Sequence, residues 1–270
     1  MTKSYKHIYL SPHFDDVSLS CGGHVHRQVQ ADEPVLVVTI CAESPAPEMP
    51  LSDFAASMHQ RWGSPEDVVA TRRAEDELAM EILGADHMYF DLVDCIYRGM
   101  PEEGTWYYTN NDELFGRVHP DDKILVAEVA DSVVEKTSRE PDVIIYAPLT
   151  VGHHVDHQLV HTAVRQLYLE GWRVAFYEDY PYADPEYAAN RYNPRFGLEA
   201  TLERLSPLKL QPQIQPLSEE NLAAKIESIA AYASQLEMLF EDQAQMKQRI
   251  KEYALHVGQE QPAERLWIPG

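Results

Sequence analysis

Two short segments far apart in the chain hold most of the residues suited to chemistry. They are Ser11-Pro12-His13-Phe14-Asp15-Asp16 and His153-His154-Val155-Asp156-His157. Imidazoles and carboxylates crowd both, and four of the twelve histidines fall within residues 153–161. A catalytic zinc site takes three protein ligands from His, Asp or Glu and leaves a fourth position for water. His13, Asp16 and His157 supply two imidazoles and one carboxylate for such a centre. Asp15 would stand beside the open position and take a proton from the water held there. His154 and His157, three apart at a helix start, share a face, so one can bind metal while the other points at the reacting group. Asp156 could orient an imidazole and hold it protonated, as a donor to a developing oxyanion. The competing reading is structural. Asp15 and Asp16 could only cap a helix, and the second segment could be a solvated helix face. Finding both segments just past apolar, strand-like runs favours the metal centre.

Those runs belong to a recurring pattern. His7–Pro12 reads as a first strand, and Val35–Ile40 is a continuous β-branched run of the kind that parallel sheets bury. Helical spacing covers about 17–31, with Gly22 and Gly23 suggesting close approach of that helix to the sheet. Ser64-Pro65-Glu66-Asp67 opens a long helix, serine as cap and proline in its first turn, which stops at Gly84. His87–Asp91 is a third strand, 121–138 a helix, Asp142–Pro148 a fourth strand, 154–170 a helix and 173–179 a strand. Alternating strands and helices predict a mostly parallel sheet with helices on both faces. Ligands in such sheets sit at the carboxyl ends of strands, where both histidine-rich segments lie. Past Tyr180 a loop covers 181–197, one or two short strands lie within 202–217, an amphipathic helix runs from Ser218 to about Phe240, and a short helix covers 242–255. The pattern fits one domain over 1–270, with a core to about 180 and a C-terminal strand and helix extension over 181–270.

Composition limits the partners. The chain has 270 residues, 44 acidic against 22 basic, for a formal charge of −22. So negative a surface repels phosphate backbones and anionic membrane faces, which argues against nucleic acid and membrane as partners. Cys21, Cys41 and Cys95 form neither a CxxC pair nor an even disulfide framework. No secretory or membrane-spanning run is evident, and a cytoplasmic setting is expected. A homo-oligomer remains open.

The first segment, continuing to Leu19-Ser20-Cys21-Gly22-Gly23, resembles the opening motif of the PIG-L/LmbE-like deacetylases, usually written His-Pro-Asp-Asp-Glu followed by a Gly-Gly helix. His154-Val155-Asp156-His157 resembles that family's second motif, His-Pro-Asp-His. Arg72-Arg73-Ala74-Glu75 resembles its Arg-x-x-Glu helix, and Lys225, Tyr232, Ser234 and Gln235 its C-terminal helix pattern. The resemblance implies a Rossmann-like fold and a zinc-dependent removal of an N-acetyl group from an N-acetylglucosamine conjugate, with one Zn2+ per chain. It puts His13, Asp16 and His157 on the metal, makes Asp15 the general base and His154 the oxyanion stabiliser, and gives Arg72 a substrate contact. Phe14 and Val155 stand where the family has prolines, and Val17 where it has an acid. These departures touch substrate and subfamily, since no inferred ligand is lost.

Other features have plainer readings. Trp106, Tyr107, Tyr108, Tyr180, Tyr182, Tyr187 and Tyr192 read as loop anchors ahead of sugar-stacking faces. His161 reads as buried one turn inward, Cys21 and Cys41 as core, and Arg72 could pair with Glu75 or Asp76. A nicotinamide dehydrogenase is set aside, because the first turn carries His and Asp in place of a glycine fingerprint. Two alternatives stay open: an amidase acting on another amide or a thiol-sugar conjugate, and a sugar-binding protein whose activity has lapsed.

Overall fold

The computed structural model describes residues 4–63, 67–137, 142–187 and 196–270. In chain order the elements are β1 (His7–Ser11), α1 (Asp16–Gln30), β2 (Val35–Thr39), α2 (Asp53–Arg61), α3 (Val68–Leu83) and β3 (Asp86–Tyr89). A two-stranded hairpin follows, β4 (Gly99–Met100) and β5 (Thr105–Trp106), then α4 (Asn111–Leu114) and α5 (Leu125–Lys136). Next come β6 (Ile144–Pro148), α6 (Val155–Leu169), β7 (Arg173–Tyr177) and α7 (Leu198–Arg204). The chain ends with β8 (Gln211–Pro216), α8 (Glu219–Ala231), α9 (Ala233–Leu239), α10 (Gln243–Gly258) and β9 (Ala263–Ile268).

Among the described residues, seven strands form one sheet in the order β3-β2-β1-β6-β7-β9-β8. The first five are parallel, while β9 runs antiparallel to both β7 and β8. This is a mixed α/β fold with a mostly parallel central sheet flanked by helices. Successive strand side chains point to opposite faces, and the core divides accordingly. Ile8, Leu10, Leu36 and Val38 pack with Val129 and Val133 of α5 and Val160 and Val164 of α6. Tyr9, Val35 and Val37 pack with Val17 and Val25 of α1 and Met80 and Leu83 of α3. From β1 the chain fills one side of the sheet, then returns to lay β6 on the other side of β1. The carboxyl ends of β1 and β6 therefore flank the point where strand order reverses, the usual crevice for a ligand in such sheets.

Several expected boundaries moved. The long helix begins at Val68 with Asp67 as its cap, whose side chain accepts from the Ala70 amide; residues 64–66 lie outside the described residues. The single helix expected from Ser218 to Phe240 breaks into α8 and α9 at Tyr232, whose φ −81° and ψ 61° are not helical. Within 198–217 the chain forms α7 and one strand. Gly22 and Gly23 do allow a close approach, though mainly to the C-terminal elements. A Cβ at Gly22 would meet Ser228 and Lys225 of α8, and one at Gly23 would lie 2.7 Å from Leu217 and 3.3 Å from the Glu264 carboxylate of β9. The sequence reading also missed β9, where Glu264 and Arg265 interrupt the apolar run. Glu264 is buried there because Lys225 (2.6 Å) and the backbone amides of Gly23 and His24 satisfy it. The C-terminal segment is thus an extension of the same sheet. The edge strand β8 carries Pro212 and Pro216.

Candidate active site

β1 ends at Ser11, and the next four residues turn the chain into α1. Asp15 occupies the cap position of α1 but makes no side-chain cap bond. The Ser11 hydroxyl takes that part, accepting from the Val17 amide at 3.2 Å. Both aspartates are thereby left for other partners, which disfavours the simple capping reading. Asp16 Oδ2 accepts the His13 amide at 2.8 Å and lies 3.2 Å from His13 Nδ1 and 3.3 Å from His157 Nε2. Asp15 turns the other way, its Oδ1 3.3 Å from Arg72 Nη2.

The second segment follows β6. Thr150, Gly152 and His153 all take positive φ, so the loop coils tightly before α6. Gly152 is required there: at φ +86° a Cβ would stand 2.5 Å from the Tyr182 ring. His154 caps α6, its Nδ1 accepting the Asp156 amide at 3.2 Å. One turn on, His157 donates from Nδ1 to Asp179 Oδ1 at 2.6 Å, which leaves Nε2 directed at Asp16. Asp179 follows β7, and its Oδ2 also accepts the Val151 amide at 2.9 Å.

The donor chemistry and spacing fit a small divalent ion. With ligands at about 2.0–2.1 Å in a tetrahedron, neighbouring ligand atoms sit about 3.3–3.4 Å apart, and Asp16 Oδ2 lies at such distances from both imidazoles. Ring nitrogens of His13, His154 and His157 also fall within 4.8 Å of one another. The charges complement each other. Burial opposes ionisation of Asp16, but His157 and His13 hold it well below the usual carboxylate range. Burial likewise opposes a charged His157, yet Asp16 and Asp179 push it up to about 9. Burial raises Asp15, and Arg72 offsets only part of that. His154 is pushed well down by burial and by neighbouring His13.

Asp156 does meet an imidazole, that of His13. Its carboxylate engages His13 Nε2 at 3.1 Å, the Cys95 amide at 3.1 Å and the Arg98 guanidinium. The imidazole it orients is therefore His13, while His154 meets only its backbone amide. Arg72 departs from pairing with its helical neighbours: Glu75 holds Ser234, and Asp76 binds Tyr232 and Tyr89. Its guanidinium instead lies 4.9 Å from the Trp62 ring and 5.5 Å from Phe14, which fills the proline position of the motif.

These groups open onto a cleft of about 960 Å³. His13, Asp15, Asp16, Arg72, Asp94 and His154 line it at depth, and Met58, Trp62, Phe115, Tyr182, Tyr187 and Met238 are among its apolar walls. Of the aromatic residues read as anchors, Tyr108 is buried away from the cleft, Tyr180 is buried but borders it, and Tyr182 and Tyr187 face it; Tyr192 lies outside the described residues. His161 is buried and bonds the Pro148 carbonyl at 2.8 Å, and all three cysteines are buried and free. Sequence reasoning missed Asp94, Arg98 and Asp179. Asp179 had a usable signal, since it closes a strand-like run as His13 does; Asp94 and Arg98 lie in a loop without periodicity.

A family model described as PIG-L: GlcNAc-PI de-N-acetylase matches residues 8–168, more than half of the chain. The 2'-N-acetylparomamine deacetylase of Niallia circulans is 27% identical over 186 residues, covering 65% of this chain and 66% of that protein. Its namesake from Streptomyces fradiae is 32% identical over 177 residues, covering 65% and 57%. The chain thus spans less than two thirds of the length of either relative. Among solved structures, a zinc-inhibited form of teicoplanin deacetylase superposes with a TM-score of 0.77 at 26% identity, covering 97% of this chain and 96% of that one. The A40926 pseudoaglycone deacetylase gives 0.73 at 26%, covering 98% and 97%. Among the described residues no helix is long and apolar enough to cross a membrane.

Proposed function

The chain belongs to the PIG-L family, and from that membership we propose that it is a metal-dependent deacetylase that removes the N-acetyl group of an N-acetylated sugar conjugate. The observation that carries this reading is the meeting of His13, Asp16 and His157 around one carboxylate oxygen, with Asp15 beside them on the cleft. These three would hold one divalent ion, zinc in our reading. When bound, the ion would polarise the amide carbonyl and make its water more acidic.

The remaining steps fall to the protein. Asp15 is a buried carboxylate whose proton affinity is raised, as suits a base that must take a proton and return it. It would accept the proton of the attacking water and deliver it to the departing amine. Arg72, anchored over Trp62 and Phe14, would keep Asp15 aimed at the cleft. His154 accepts a backbone amide through Nδ1, so its neutral ring carries hydrogen on Nε2. That N–H would donate to the oxyanion as the carbonyl becomes tetrahedral. Asp156 would act one step back, by orienting His13.

The named relatives are deacetylases, of 2'-N-acetylparomamine and of teicoplanin, which supports an N-acetylated sugar conjugate as the substrate class. The test uses protein stripped of metal and reloaded with one equivalent of zinc, cobalt, nickel or manganese. Each form is incubated with N-acetylated sugars, N-acetylglucosamine glycosides and N-acetylated aminoglycosides. Equimolar release of acetate and free amine from at least one is expected. Because a relative was captured in a zinc-inhibited form, excess zinc is titrated separately. Bound metal without release from any compound would turn the reading toward another amide or a binding protein.

A further inference from the structure

Arg98 comes from the loop after β3, yet it reaches into the site from behind. It is 6% exposed and is not among the described residues that line the cleft. Its Nη2 binds Asp156 Oδ1, and its Nε lies 3.2 Å from Asp122 Oδ2. Asp122 is held in turn by the Tyr108 hydroxyl at 2.8 Å, and the Tyr108 ring lies under the guanidinium at 5.6 Å. Asp156 has no exposed side-chain surface, so an unpartnered carboxylate there would be very costly. Its Oδ2 accepts from His13 Nε2, and in a neutral ring a hydrogen on that nitrogen leaves the Nδ1 lone pair facing Asp16 Oδ2.

We propose that Arg98 is a positioning residue for the metal centre: by clamping Asp156 from the side away from the cleft, it fixes the rotation of His13 that presents Nδ1 to the ion. Asp122 and Tyr108 hold Arg98, so the loop that walls the cleft also sets the ligand geometry. The inference rests on the metal reading above, but its test needs no substrate. A guanidinium is suited to the task because it stays charged when buried and its rigid plane binds Asp156 through Nη2 while Nε lies at ion-pair distance from Asp122, an arrangement that a flexible ammonium does not reproduce.

The experiment loads wild type, Arg98→Met, Arg98→Lys and Asp122→Asn with cobalt(II). Visible absorption reports ligand geometry, chelator competition gives affinity, and circular dichroism with thermal melting reports folding. Orienting residues behind metal ligands typically contribute about 10–100-fold in affinity. Arg98→Met is expected to bind cobalt at least about tenfold more weakly with an altered spectrum, and Arg98→Lys to recover part of the affinity. A folded Arg98→Met with wild-type spectrum and affinity overturns the proposal. Should Arg98→Met fail to fold, Asp122→Asn decides: a weaker, shifted cobalt complex supports the clamp, and an unchanged one overturns it. Wild type that binds no cobalt would remove the metal reading itself, and the proposal with it.

Discussion

Asp15 and Asp16 are adjacent in sequence and chemically identical in isolation, yet their surroundings drive them apart. Asp16 faces two imidazoles and stays ionised; Asp15 faces a guanidinium and is raised by burial. A pair with proton affinities pushed in opposite directions divides naturally into a ligand and a base. Asp15→Asn keeps the shape and the Arg72 contact while removing the proposed base. Bound metal, measured by elemental analysis, should equal that of wild type, and kcat should fall by about 10²–10⁴-fold. Wild-type turnover would assign the proton transfer to another group.

At the scale of elements, the strand-end rule did most of the work. His13 and His157 become neighbours because β1 and β6 pair directly, with His7 beside Ile144 in register. That much was legible, since continuous apolar runs mark buried parallel strands and the histidines follow them. The loops were not legible. Arg98 and Asp94 sit where no periodicity constrains the chain, and only tertiary contact gives them a partner. β9 escaped because Glu264 breaks its pattern, and a buried acid makes sense only once Lys225 is beside it. The β6–α6 loop shows how tightly an element can fix a functional side chain. Gly152→Ala would force a left-handed alanine against Tyr182. We expect a loss of about 1–3 kcal/mol in urea unfolding, with weakened catalysis because His154 and the cleft wall shift together. An unchanged midpoint would mean that the loop relaxes freely.

Over the whole molecule, Asp76 ties three elements together. It lies on α3, bonds Tyr89 of β3 at 3.0 Å and Tyr232 at the α8–α9 break at 2.7 Å, and Tyr232 reaches the Phe14 carbonyl at 3.0 Å. Burial pushes its carboxyl up to about 7, with the two tyrosine hydroxyls and Arg72 opposing and Asp15 reinforcing. The unfolded chain releases this proton near the ordinary value of 3.8, while the folded chain keeps it to about 7. Between those values the folded state binds more protons, so the Asp76 contribution falls as pH rises, by at most about 1.4 kcal/mol per unit. Asp76→Asn should therefore gain on wild type in urea stability from pH 4 to 7 and level off above. A constant difference across that range would contradict the shift.

The strand β8 has a consequence for how the folded chain meets its own copies. An exposed sheet edge offers a row of backbone donors and acceptors onto which another strand can add, the first step of fibrillar growth. Proline has no amide hydrogen, and Pro212 and Pro216 occupy two of the six residues of this edge. An incoming strand would meet gaps in the donor row there, so the sheet that carries the proposed metal ligands can end in solvent without inviting its own extension.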